Sequence, residues 1–108
     1  MTYDVTDFLP QEELLAQLAE EAAELAQAAL KLRRVMDGRN PTPMGYAQAV
    51  KNLQEEIADV TLCIDQISSV DYSKVNQIRT GKLGRWIARL LEARRKEDDR
   101  HRSLRHRR

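Results

Sequence analysis

The chain is poor in the residues that most often announce a fold or an activity. A single cysteine, Cys63, permits no internal disulfide, so stability must come from packing, and a reducing, cytoplasmic setting is expected. Aromatic residues make up only 5% of the chain, with one Trp and one Phe, too few to interleave with basic residues in a nucleic-acid platform. No 18-residue apolar run occurs, which excludes a membrane-spanning helix and a membrane partner of that kind. The opening "MTYDVTDFLPQEELL" lacks a basic stretch leading into an apolar one, so no secretory signal is expected. The two histidines, His101 and His106, are five apart and do not align on a helix face. No Glu-x-x-His pair is present either, which sets aside a di-iron carboxylate bundle. Strand-like alternation and repeats of solenoid period are also missing.

What remains is rich in Leu, Ala, Glu, Arg and Lys, with 32% of residues charged. That composition predicts an all-α fold. The first helix is expected to start between Pro10 and Glu12 and to run to about Met36, where "DGRNPTP" stops it. The second spans about Met44 to Ser69. The third follows Asp71, an N-cap in "VDYSK", and reaches about Lys96, with Gly81 and Gly84 as weak points. These three main helices are expected to form an antiparallel bundle. One chain of 108 residues is small for a self-sufficient core, and Leu62 lies opposite the main apolar stripe of its helix. Oligomerisation is therefore expected to complete a four-helix-type bundle.

Charge divides the chain. Residues 94–108 hold 8 of the 18 Lys and Arg but 3 of the 17 acids, leaving residues 1–93 with a net of −4. The expected organisation is a helical domain over 1–93 and a basic tail over 94–108, either a helix extension or disordered.

The acids of the first two helices are the most informative residues. At about 100° of rotation per residue, Leu14, Leu18, Leu25 and Leu32 fall within about 40° of one another. In "EEAAE", Glu21 falls inside that stripe, Glu24 on its margin and Glu20 just beyond. The second helix repeats the arrangement: Leu53, Ile57, Val60, Ile64 and Ile67 make its apolar face, with Glu56 at the margin and Asp59 further round. Packing the stripes together brings Glu21, Glu24, Glu56 and Asp59 towards one another. Burying an unpaired carboxylate costs several kcal/mol, and crowding like charges adds to it. Such a set calls for a counter-charge. Oxygen donors without His or Cys suit a hard divalent cation, Mg²⁺ or Mn²⁺; the plain alternative is two solvated acidic edges near Arg33, Arg34 or Lys51. On the third helix, Lys82, Arg85 and Arg89 share a face at i, i+3 and i+7. Trp86 and Tyr46 are read as core rather than as base-stacking platforms, and Cys63 as a small buried hydrophobe.

"EEAAE" followed by "EIAD" resembles the EExxE…ExxD signature of the MazG-like, all-α nucleoside triphosphate pyrophosphohydrolases, which include dimeric dUTPases and dCTP pyrophosphatases. The resemblance covers about Gln11 to Glu92. It implies that Glu21, Glu24, Glu56 and Asp59 hold Mg²⁺, with Mn²⁺ as a substitute, and that Glu20 and Glu24 serve catalysis, Glu20 as a base or at a second ion. It also implies hydrolysis of a nucleoside triphosphate to the monophosphate and pyrophosphate, in a homodimer or homotetramer. Lys82 and Arg85 in "TGKLGRW" match the family's phosphate-holding basic residue, whereas Asn76 and Arg79 lie too far upstream to be matched. The 31 residues between Glu24 and Glu56 exceed the family's usual spacing; convergence then requires both arms of the hairpin to lengthen equally. The alternative is a non-enzymatic helical interaction module whose basic tail contacts nucleic acid, although nucleic acid is not the expected partner.

Overall fold

A computed structural model describes residues 2–38 and 43–106. The described residues form a short 3-10 turn, Val5–Asp7, and three helices: α1, Gln11–Asp37; α2, Tyr46–Asp65; and α3, Tyr72–Arg105. No strand occurs among them, so the chain is all-α as expected. None of these helices is long and apolar enough to cross a membrane. Two compact units divide at Val70 and Asp71, the first holding α1 and α2 and the second α3.

The ends of each helix follow from local chemistry. Pro10 occupies the N-cap of α1, and Glu12 and Glu13 place negative charge beside the unpaired amides of its first turn. At the other end Gly38 adopts φ 71°, a left-handed conformation that an added Cβ would strain, and its amide donates to the Arg34 carbonyl at 2.9 Å. α2 stops at Asp65, short of the Ser69 expected from the sequence. Its last amides turn to tighter bonds, Gln66 N–H to the Cys63 carbonyl and Ile67 N–H to the Ile64 carbonyl, both at 3.1 Å. The Gln11 side chain then engages the emerging strand of backbone on both sides. Its Nε2 donates to the Gln66 carbonyl at 3.1 Å, and its Oε1 accepts from the Ser68 amide at 2.9 Å.

α3 begins as expected: the Asp71 carboxylate accepts from the Ser73 and Lys74 amides at 2.9 and 3.4 Å. It then passes through Gly81 and Gly84 and continues to Arg105, well beyond Lys96. A helical glycine costs about 1 kcal/mol relative to alanine, which a capped helix with successive ion pairs withstands.

α1 and α2 pack against each other. Their direction follows from who meets whom. Gln11 bonds to Gln66 and Ser68, Glu21 and Glu24 converge with Glu56 and Asp59, and Ala28 and Ala49 line one groove. Numbers rise along α1 as they fall along α2, so the hairpin is antiparallel. Beyond the acids α1 runs 13 residues from Glu24 to Asp37 and α2 runs 10 residues from Tyr46 to Glu56, so the two arms differ by three residues and the acids converge all the same.

The buried apolar residues among those described are Leu14, Ala28, Ala49 and Ile67, at 2%, 7%, 1% and 5% exposure, all in the first unit. Leu18, Leu25 and Leu32 of the α1 stripe are half-buried. Two of the four buried side chains are alanines, so at that level the helices meet through small groups. No described residue of α3 is buried. Trp86 and Tyr46 are exposed, not core as the sequence suggested. For Trp86 the reason is that, although Val75, Trp86, Leu90 and Leu83 fall at about 0°, 20°, 60° and 80° round α3, its own compact unit holds no second helix to cover that face. Leu62 is exposed, as its position on α2 predicts.

Candidate metal centre

Glu21 and Glu24 lie one turn apart on α1, and Glu56 and Asp59 one turn apart on α2. Antiparallel packing brings the two pairs to the same level. One carboxylate oxygen from each of the four lies within 4.8 Å of every other. Glu21 and Glu56, nearer the seam, are half-buried, whereas Glu24 and Asp59 are exposed. Each pair thus has one inner and one outer carboxylate.

The immediate surroundings do little to compensate this charge. Glu21 Oε1 accepts from Gln17 Nε2 at 2.8 Å. The Oε2 atoms of both Glu21 and Glu56 are buried with no hydrogen-bond partner. None of the four carboxylates is ion-paired among the described residues. Arg33, Arg34 and Lys51, the cations nearest in the solvated-edge reading, form no ion pair with the four. A like-charge pair at this separation costs about 1 kcal/mol in water and about 3–4 kcal/mol at an effective dielectric of 20. An unsatisfied buried oxygen adds about 1–3 kcal/mol. Two inward-facing oxygens without donors, framed by two outer carboxylates, fit a hard cation with oxygen ligands. They do not fit a soft one, since the set contains no thiolate or imidazole.

Cys63 is half-buried rather than fully buried. Its thiol is pushed above the usual cysteine range by burial first, and then by the Glu21 and Asp59 carboxylates. The thiol therefore senses the charge of the cluster, a relation that its reading as packing filler missed. Its position four residues beyond Asp59, on the same helical face, was the available signal.

Glu20 is exposed and stands outside the group of four. Lys82 and Arg85 belong to the second unit. There, with Arg89 and Trp86, they line a depression of about 380 Å³. A neighbouring depression of about 610 Å³ brings Lys82 and Trp86 together with Asn76 and Arg79, the two residues that distance along the chain had set aside. The shared face of Lys82, Arg85 and Arg89 is thus present.

Sequence reasoning also missed a groove running from the cluster along the α1–α2 seam, with Gln27 and Lys31 on one side and Asn52 and Glu55 on the other. Positions 24, 27 and 31, and 49, 52 and 56, each follow helical i, i+3, i+7 spacing. That could have flagged the groove once the acids were placed. No family model, curated protein or solved structure matches the chain.

Proposed function

We propose that this protein is a Mg²⁺-dependent nucleoside triphosphate pyrophosphohydrolase, with Mn²⁺ able to replace Mg²⁺. It would convert a nucleoside triphosphate and water to the monophosphate and pyrophosphate. The observation that carries the reading is the pair of buried, partnerless oxygens, Glu21 Oε2 and Glu56 Oε2, within a set of four converging carboxylates. The resemblance of "EEAAE" and "EIAD" to the MazG-like signature adds the reaction class.

Glu21, Glu24, Glu56 and Asp59 hold the ion, and Gln17 fixes the orientation of Glu21 through its Oε1. When bound, the ion supplies positive charge for phosphate oxygens and Lewis acidity towards water. Without it, four carboxylates repel a polyanion, so substrate binding here depends on the metal. Glu20, exposed and adjacent to Glu21, accepts the proton of the attacking water. Glu24 serves both metal and catalysis. Lys82 and Arg85, which share a depression on α3, are the phosphate-holding cations that the resemblance implies. The working form is a homodimer or homotetramer in which a four-helix-type bundle is completed between copies. Such assembly has exposed apolar residues to cover in each unit: Leu62 on α2, and Leu83, Ile87, Leu90 and Leu91 on α3.

The test is pyrophosphate release from each natural NTP and dNTP with Mg²⁺ and with Mn²⁺. Turnover of at least one substrate, lost in Glu24→Gln and Asp59→Asn with folding intact, is expected. Silence across the panel with both ions rejects the reading. A monomer at micromolar concentration, measured by light scattering, rejects the assembly.

A further inference from the structure

The first half of α3 carries positive charge without a counterpart. From Tyr72 to Leu91 it holds five cations, Lys74, Arg79, Lys82, Arg85 and Arg89, and no acid. All five are exposed, and neither they nor Lys96 form an ion pair among the described residues. The helix also runs unbroken to Arg105. The basic end that the sequence set apart as a tail therefore shares one axis with them.

Their placement round that axis is uneven. Counted from Val75, Lys74, Arg85, Lys96, Arg89 and Lys82 fall at about 260°, 280°, 300°, 320° and 340°; Arg79, at about 40°, lies outside this arc. Of the seven positions that the arc holds between 74 and 96, five are these cations, and the others are Ile78 and Glu92. The Glu92 carboxylate is taken up by Arg95 at 2.6 Å, which stands off the arc. At 1.5 Å per residue the stripe is about 33 Å long. The exposed apolar side chains lie elsewhere: Trp86, Leu90, Leu83, Ile87 and Leu91 span about 20° to 160°.

That separation disfavours two occupants. A second copy of the chain would cover the apolar arc, since interface cores are depleted of charge, and would leave the stripe outside. A bilayer would take the same arc and turn the stripe away from its headgroups. A single nucleic-acid strand needs aromatic platforms for its bases, and the stripe has none.

We infer that the stripe binds duplex DNA through its phosphates. A duplex presents about one phosphate per 1.7 Å of its axis, so a straight row of long cationic side chains finds partners along its whole length. The inference needs no hydrolysis and no metal; it meets the proposed activity only at Lys82 and Arg85, where duplex and nucleotide would compete.

Fluorescence anisotropy with the full-length chain, a labelled duplex of arbitrary sequence and EDTA tests it apart from turnover. For five phosphate contacts, log K against log salt should have a slope of about −4.5. Arg89→Gln with Lys96→Gln should flatten the slope by about 2 and weaken binding at least about tenfold. Arg94→Gln with Arg105→Gln removes the same charge from about 100° and 120°, the far side of the helix, and should leave the slope unchanged. All four residues are exposed, so circular dichroism should report intact helix in both variants. Should the first pair lose helix, Lys74→Gln reads the same stripe at its other end, with a slope flatter by about 1. Equal losses in the two paired variants overturn the stripe in favour of net charge alone. Absence of duplex binding overturns it too, as does tighter binding to the matching single strand or to phosphatidylserine vesicles. A dimer that dissociates on replacing Arg89 and Lys96 would give the stripe to a second copy instead.

Discussion

Residues 1–70 contain 12 Asp and Glu against 5 Lys and Arg, whereas residues 71–108 contain 5 against 13. A chain that is almost neutral is therefore an acidic unit followed by a basic one, and both crowd carboxylates. On α3, Glu97, Asp98 and Asp99 are consecutive, as dense a run as Glu20, Glu21 and Glu24. Yet there the acids have cations one turn away. Arg95 reaches Glu92 at 2.6 Å and Asp99 at 3.2 Å, and Arg100 reaches Glu97 at 2.8 Å. Those pairs hold Glu92 and Glu97 below the usual carboxylate range, chiefly through hydrogen bonds from Arg95 and Arg100 respectively. On the α1–α2 seam the acids meet each other instead. Acidic density alone thus says little; convergence without a partner is what marks a candidate site.

The sharpest way to break this contrast is to neutralise one member of the converging set. Glu24→Gln and Asp59→Asn should each abolish pyrophosphate release, a loss of at least about 100-fold on the scale of removing one electrostatic stabiliser. In metal-free buffer their melting temperatures should equal or exceed that of the wild type, because repulsion has been relieved. A variant that loses activity by unfolding would remove this support.

Next in size is the packing that positions the set. Leu14→Ala, at a 2% exposed position, should cost about 2–5 kcal/mol in chemical denaturation. An unchanged denaturation midpoint would mean that the seam does not hold the hairpin.

Metal provides the third comparison. Mg²⁺ or Mn²⁺ at 100 times its Kd should stabilise the wild type by about 2.7 kcal/mol, and a chelator should reverse the gain. Glu56→Gln should show a smaller gain, whereas Glu97→Gln on α3 should show the full one. Equal responses in the two variants would erase the distinction between paired and unpaired acids.

Much of this was legible beforehand, and the reason lies in periodicity. The leucines at 14, 18, 25 and 32 fix one face of α1 by spacing alone, and the same geometry places Glu21 and Glu24 relative to it. Asp71 reads as an N-cap because its short carboxylate suits the first free amides. Tertiary effects were hidden. The backbone just past the early end of α2 is bonded by Gln11, 55 residues away from Gln66, and no local pattern encodes that reach. The exposure of Trp86 depends on whether anything packs on α3, which its apolar content could not decide. The groove lined by Lys31 and Asn52 appears only when two helices are set side by side.

Two smaller effects sharpen the contrast through pH. The raised Cys63 pKa means that its thiolate forms at higher pH than an ordinary cysteine, so alkylation rates should rise later along a pH series. Saturating Mg²⁺ should move that profile part of the way down, by offsetting Glu21 and Asp59 but not burial, the larger cause. A profile indifferent to metal would separate Cys63 from the cluster. On α3 the sign is opposite. The lowered Glu92 and Glu97 values stabilise the helix above the ordinary glutamate range, and that contribution disappears as pH falls through the folded-state values. Amide-exchange protection along residues 92–105, taken relative to the intrinsic exchange rate at each pH, should therefore fall in acid, and only slightly, since these pairs are exposed. Protection unchanged from neutral to acidic pH would show that the pairs contribute nothing.

The facing arms of the α1–α2 hairpin also constrain how related chains can change length. One residue inserted within a single arm turns everything beyond it by about 100°, swinging a carboxylate away from its counterparts across the seam. Insertions confined to the link between Gly38 and Gly45 leave both arms in phase. Length variation among functional descendants of this sequence should accordingly gather in that link, or come as matched additions to both arms, while unmatched ones are purged.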